Sequence, residues 1–538
     1  MSDNIEIKKS RLVFIYFCIM ALFLVIILRM IFVVCFGDKI TVSRLYDLNK
    51  KDKRADIFDR NDVLVATDLK TKSLYISSVL IKDQEKIAQG LVKIFPDFSY
   101  AEILKKISEE KNSRQWILIR RNLTPHQVSQ VQNMQLAGLL FEDDLIRVYP
   151  QKAIASHFVG YVDLDRKGLA GMEMQYDRKL RKGENLHLTL DIRIQDILHY
   201  ELLKAMEEYN ARAAAGLVMN VNNGEILALS SLPEFDPNLQ SDASPNQRFN
   251  RVTNGVYELG SVFKVLTNAA AFEKNLVKID DIYNVSEPIK YGRFTINDYH
   301  KIKDEMTVGE IFSHSSNVGT VKIADKLGAD NQKDFLAKLG LLKKIDADFP
   351  GMGRPIFPRL WREINLYTIS YGYGISITPL HLAMAVSAIV NGGILYYPSF
   401  VKTEVQPEGQ RVIKESTSKI MRQMLREAVT GGTGKKANIE GYEVGGKTGT
   451  AELAESGSYN ERQTMVSFIA AFPISQPQYL VYIILDRPNH IFNTGGMVAA
   501  PVAGKIINNI APLLQIKPGP KVKFAISSET VSNTKSNL

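Results

Sequence analysis

Cysteine is nearly missing from this chain: 538 residues hold two, Cys18 and Cys35, both near the amino end. With none after Cys35, no disulfide can staple the body of the protein, and no thiolate site can hold a metal there. The eight histidines form no H-E-x-x-H or comparable pair, which removes the common helical zinc site. His314, although beside Ser315, reads as a loop residue. No metal and no cofactor are expected. Runs of five or more consecutive basic residues are also lacking, so the net charge of +9 and the pI near 9.1 do not point to nucleic acid. The positive charge is scattered and reads as a solvated surface with a mild preference for an anionic envelope. Apolar and charged fractions of 45% and 23% exclude a disordered or fibrous composition, and the length allows two or more domains with cores of their own.

What is present begins with an apolar run, Leu12 to Leu28, preceded by Lys8, Lys9 and Arg11. It is long enough for a bilayer, and apolar character resumes after Met30 as far as Phe36. A cleaved signal peptide is the alternative, but its core is shorter and ends at a small-x-small site, which this segment lacks. The expectation is a retained anchor over 12–36, after a cytoplasmic tail of 1–11, with the body of the chain outside the cytoplasmic membrane.

From 37 to 185 short β-rich runs such as Ser73–Ile76 and Trp116–Ile119 alternate with amphipathic stretches near 82–94 and 100–110. Pro125–Val131 reads as a further helix with proline in its first turn. Few catalytic residue types occur in this region, and it reads as a structural spacer. A different regime starts at Leu186–Asp191: a helix from about 192 to 210, then two apolar strands joined by Asn222-Asn223-Gly224, a hairpin signal. Strands near 216–231 and 464–486 bracket a helical middle, the order of an antiparallel sheet with helices on its faces. The fold class is α+β. Residues 518–538 are rich in Ser, Thr, Asn and Lys and read as a flexible tail.

Three short patterns carry the chemistry. In Gly260-Ser261-Val262-Phe263-Lys264 a serine opens an apolar helix with lysine three residues on, so both share a face and the amine can reach the hydroxyl. A lysine desolvated among Val262, Phe263, Val265 and Leu266 loses part of its preference for charge and becomes a candidate base. The pattern is cheap alone: Ser261 could be a helix cap, and S-x-x-K recurs at Ser108, Ser399, Ser416 and Ser532. Context comes from Ser315-Ser316-Asn317 and then Lys447-Thr448-Gly449-Thr450; S-x-N recurs elsewhere, K-T-G does not. The ordered set belongs to active-site-serine enzymes acting on acyl-D-alanyl peptides and β-lactams.

With these motifs the chain resembles the class B penicillin-binding proteins, most closely the septal, FtsI-type branch. The resemblance runs along nearly the whole chain, through Arg54–Asn61, Arg147–Pro150, Gly168–Glu173, Leu188–Asp191, Asn223–Ala228 and Gly374–Leu380. Ala55 and Asp62 depart from it, standing where the family usually has glycine. It implies a penicilloyl-serine transferase domain over 186–517, an N-terminal α+β pedestal over 37–185 and one transmembrane helix. It also implies a peptidoglycan D,D-transpeptidase of septal wall synthesis, inhibited covalently by β-lactams and working beside an FtsW-like glycan polymerase and other division proteins. By the same resemblance Ser261 is the nucleophile, Lys264 its base, Ser315 a relay, and Asn317 a partner of the substrate amide or of Lys264. Lys447, Thr448 and Thr450 take the substrate carboxylate, Gly449 lies between them, and the backbone of Ser261 and Thr450 forms the oxyanion hole.

A β-lactamase shares the nucleophile, but its deacylating glutamate motif E-x-x-L-N does not follow Asn317. A silent sensor or divisome scaffold of the same fold, and an elongation-type transpeptidase, remain as alternatives.

Overall fold

The computed structural model describes residues 3–32, 53–110, 115–292, 294–300, 302–455, 458–489 and 493–519; of the tail expected over 518–538, positions 520–538 lie outside them. A helix runs Asp3–Phe32. Its apolar side chains are exposed, Phe14 at 70% and Phe17 at 74% among them. Among the residues described, no helix is long and apolar enough to cross a membrane. Positions 33–36 of the expected span fall outside the described residues.

The body of the chain packs as two compact units, one built on Leu69–Ile146 and the other on Arg54–Asp68 with the chain from Arg147 onward. In the first, Lys72–Ser77, the end of the strand Leu64–Ser77, pairs antiparallel with Trp116–Leu123, with Ile76 opposite Ile117. The helices Gln84–Ile94 and Tyr100–Glu110 bury Ile87, Leu91, Ile103 and Ile107 against that sheet. Those spacings, i to i+4, place each pair on one face. Pro125–Asn133 starts with a capping box: Thr124 Oγ1 accepts from Gln127 N at 3.2 Å, and Gln127 Oε1 accepts from Thr124 N at 2.9 Å.

The larger unit is organised by a five-stranded antiparallel sheet in the order Gly445–Glu455, Ser458–Phe472, Tyr479–Asp486, Ala213–Asn220, Ile226–Leu232. The central strands read as continuous apolar runs because both faces are covered. Leu217 and Met219 point into one core, with Val265 and Ala385 of the helices Lys264–Glu273 and Pro379–Val390. Val218 points into the other, with Leu198 of Ile192–Glu208 and Ile506 of Ala499–Ile510. Each fully buried Leu, Ile or Val contributes about 1.5–3 kcal/mol. Gly445–Glu455 is the edge strand, and its open side faces the turn that carries Ser261.

Two motif stretches have structural explanations. Arg54 and Arg147 lie buried against Glu173, each donating Nε to its carboxylate at 2.7 Å, while Arg147 and Arg166 reach Asp68. This pins residues 54–68 to the rest of their unit. Asp62 takes φ +63, a left-handed value natural to glycine and tolerated by aspartate. The turn closes through Asp59 Oδ1, which accepts from Asn61 N and Val63 N at 2.7 and 2.9 Å.

Candidate active site

Ser261 does not open the α-helix itself, as the sequence reading has it. Gly260–Phe263 is a tight 3-10 turn that runs into the helix Lys264–Glu273. Gly260 has φ +59, and a Cβ there would come 2.4 Å from the carbonyl oxygen of Thr450. Only glycine lets the nucleophile turn approach the edge strand this closely. Val262 and Phe263 anchor the turn in the core, leaving Ser261 as its partly exposed residue.

The Lys264 side chain is fully buried. Its Nζ lies 2.5 Å from Ser315 O, 2.7 Å from Asn317 Oδ1 and 3.1 Å from Ser315 Oγ. Ser261 Oγ is not among these partners, which differs from the direct pairing expected from sequence. Burial pushes the Lys264 amine well below the usual lysine range; the charge of Lys447 pushes the same way, and Asp298 opposes both. All three atoms stand as acceptors for Lys264 Nζ. The Asn317 amide is oriented for this, since its Nδ2 donates to Asn297 O at 3.0 Å.

Ser315 ends the helix Val308–His314 with φ +64, and Asn317 begins the helix Asn317–Leu327. His314 is therefore the last residue of a helix and not part of a loop. A non-glycine residue held left-handed is a strained position that the surroundings must enforce. Asp298 supplies part of that enforcement, and the sequence reading missed it. Its Oδ2 accepts from Ser316 Oγ at 2.7 Å, and its Oδ1 accepts from Val318 N at 3.0 Å and from Asn317 N. No sequence signal marked it, because a strand and a helix separate Asp298 from the helix start whose dipole its charge complements.

Lys447 is also fully buried, and burial pushes its amine down to about 7. Its Nζ donates to Ser315 Oγ at 2.9 Å and stands over the Phe312 ring, 5.9 Å from the centroid. Ser315 Oγ thus lies between two lysine nitrogens, within hydrogen-bond distance of both. On the same strand Thr448 Oγ1 is 2.8 Å from Thr433 Oγ1, and Thr450 Oγ1 accepts from Gly495 N at 3.1 Å. Gly449 lies between them against Leu259 O and Ser467.

A buried, depressed lysine beside a serine hydroxyl, next to a serine on a tight turn and an open sheet edge, fits a class: serine acyl-enzymes that use lysine where others use histidine. The chain belongs to the penicillin-binding protein transpeptidase family. The penicillin binding protein transpeptidase domain matches residues 214–508, and the penicillin-binding protein dimerisation domain matches 49–186. A relative from Caulobacter vibrioides, a probable peptidoglycan D,D-transpeptidase FtsI, is 37% identical, covering 86% of this chain and 82% of its own. A probable peptidoglycan D,D-transpeptidase PenA from Neisseria meningitidis is 32% identical, covering 86% and 85%. Penicillin-binding protein 3 from Mycobacterium tuberculosis, solved with aztreonam, shares the fold with a TM-score of 0.69 at 24% identity, covering 87% of this chain and 97% of that one.

Proposed function

We propose that this protein cross-links peptidoglycan stem peptides during septal wall synthesis, through an acyl-enzyme on Ser261. The observation that carries this reading is the meeting of two buried lysines at one hydroxyl beside the turn that bears Ser261: Lys264 Nζ, held by Ser315 O and Asn317 Oδ1, and Lys447 Nζ both reach Ser315 Oγ. When a donor enters, Ser261 Oγ attacks the carbonyl carbon of the penultimate D-alanine while Lys264 Nζ takes its proton. Such contacts commonly tighten only with substrate in place. The negative oxygen is held by the backbone N–H groups of Ser261 and Thr450, each worth a few kcal/mol of barrier lowering, on the order of 3. The C–N bond then breaks, and the departing D-alanine amine takes a proton through Ser315 Oγ. An acceptor amine attacks the ester, gives up its proton and restores Ser261.

Lys447 neutralises the terminal carboxylate of the donor, Thr448 and Thr450 donate hydroxyls to it, Gly449 keeps the strand slim between them, and Asn317 holds Lys264 and the donor amide. β-Lactams would acylate the same serine. The pedestal over 37–185, the catalytic domain over 186–517 and the tail 518–538 are part of this proposal. So is a single-pass anchor over 12–36 that leaves the catalytic domain outside the cytoplasmic membrane. The support is a helix whose described apolar side chains between Val13 and Ile31 are exposed. An FtsW-like polymerase and other division proteins are the proposed partners.

The test is labelling of the full chain with a fluorescent penicillin, comparing wild type with Ser261→Ala. A stable label that is lost in the variant is expected. Rapid turnover of the label would favour a β-lactamase, and an unlabelled folded wild type would favour a scaffold.

A further inference from the structure

An antiparallel edge strand exposes the backbone groups of alternate residues, and on Gly445–Glu455 those facing the cleft are Thr448, Thr450 and Glu452. The Thr450 carbonyl lies against Gly260. The Glu452 N–H is already taken: it donates to the Tyr373 hydroxyl at 2.9 Å. The loop bearing Tyr373 is fixed beside the nucleophile turn. Gly260 N donates to Gly372 O at 3.2 Å, Tyr373 N to Thr368 O at 3.0 Å, and Gly374 N to Glu258 Oε1 at 2.7 Å. Burial raises the Tyr373 phenol to about 12, so it stays a neutral hydroxyl that accepts from Glu452 and keeps its own proton. The pairing with Ser458–Phe472 also shifts register between Glu452 and Leu453, an irregularity in the ladder at this point.

An extended acyl donor would add to this edge as a strand. With its carboxylate at Lys447 and Thr448, it runs antiparallel and exchanges both backbone bonds with Thr450 through its penultimate residue. Its next pairing on the same edge lies two residues toward its amino end and needs the Glu452 N–H. That bond would go to the acyl carbonyl on the nitrogen of the third residue from the end. We infer that Tyr373 is a stop for donor-strand pairing, confining backbone recognition to Thr450, so that the enzyme reads the D-alanyl-D-alanine end and not the acyl carbonyl upstream of it.

This inference rests on the acyl-transfer reading, and its test separates the two. Two thioester donors ending in D-alanyl-thioglycolate are compared on the full-length protein. One carries an N-acetyl group on the residue before the D-alanine, and the other has a methylene in place of that acylamino group. For wild type the acylation efficiencies should agree within about twofold. For Tyr373→Phe, which frees the Glu452 N–H, the acetylated donor should gain about fivefold over the other, the worth of one ordinary hydrogen bond. Penicillin labelling should be retained in the variant, showing that the site is folded. A donor ratio that Tyr373→Phe leaves unchanged, an equal loss with both donors, or a wild type that already discriminates would each overturn the role of Tyr373. Failure of penicillin to label wild type would instead overturn the acyl-transfer reading.

Discussion

At the scale of single residues the site is an exercise in placing two lysines that cannot both be comfortable. Lys264 and Lys447 are buried and meet at one hydroxyl, Ser315 Oγ. Burial and the charge of Lys447 both push Lys264 toward its neutral form, whereas burial alone weighs on the charge of Lys447, and the proposed acyl transfer uses that difference. The pH dependence follows with its sign. Acylation efficiency should rise with pH as Lys264 loses its proton, then fall above about 7 as free-enzyme Lys447 loses the charge that binds carboxylate. A penicillin acylation profile without an alkaline limb would contradict this. Asp298 favours the proton on Lys264, so Asp298→Asn should move the acidic limb to lower pH. It should also slow acylation by about tenfold through the weakened hold on the Ser316–Val318 turn, an effect of ordinary charged hydrogen-bond size. Ser261, Lys264 and Lys447 were legible in the sequence as candidates because the ordered set S-x-x-K, S-x-N, K-T-G is specific where each pattern alone is cheap. Asp298 was not, because it acts across a loop and no periodicity links it to Asn317.

At the scale of elements, the strands and helices that frame the cleft follow from apolar periodicity and from the Asn222–Gly224 turn. Their junctions do not. The 3-10 turn at Gly260–Phe263 and the left-handed Ser315 arise where one element must stop short against another, and composition gives no sign of that. Gly260 is the clearest case, since its conformation is dictated by the carbonyl of Thr450 on a strand far along the chain. Gly260→Ala should therefore lose acylation well beyond its effect on stability. The strain itself costs about 1–3 kcal/mol, while displacing the turn from Thr450 opens the oxyanion site. Stopped-flow acylation alongside thermal melting would check this; a variant acylating at the wild-type rate would count against the close approach being required.

At the scale of the whole molecule, residues far apart in sequence are tied by burial of charge. Arg54 and Arg147 converge on Glu173, and this explains why arginines and a glutamate recur in the stretches that carried the family resemblance. Glu173→Ala should strip both guanidinium groups of a buried partner and destabilise the larger unit by about 3–5 kcal/mol, read as a shifted denaturation midpoint. A midpoint unchanged from wild type would mean the network contributes nothing. The two-sided sheet and its helices were expected from the order of elements, whereas this network was not, because charges at such separations show no pairing until the chain is folded.

The most direct test of the account is the fate of the acyl group. Acyl-enzyme formed on the full-length protein from a thioester stem-peptide analogue should be released as an amide when an acceptor amine is supplied, and only slowly as the free acid in water. Release as free acid at the same rate with or without the amine would contradict a transpeptidase and make the protein a hydrolase.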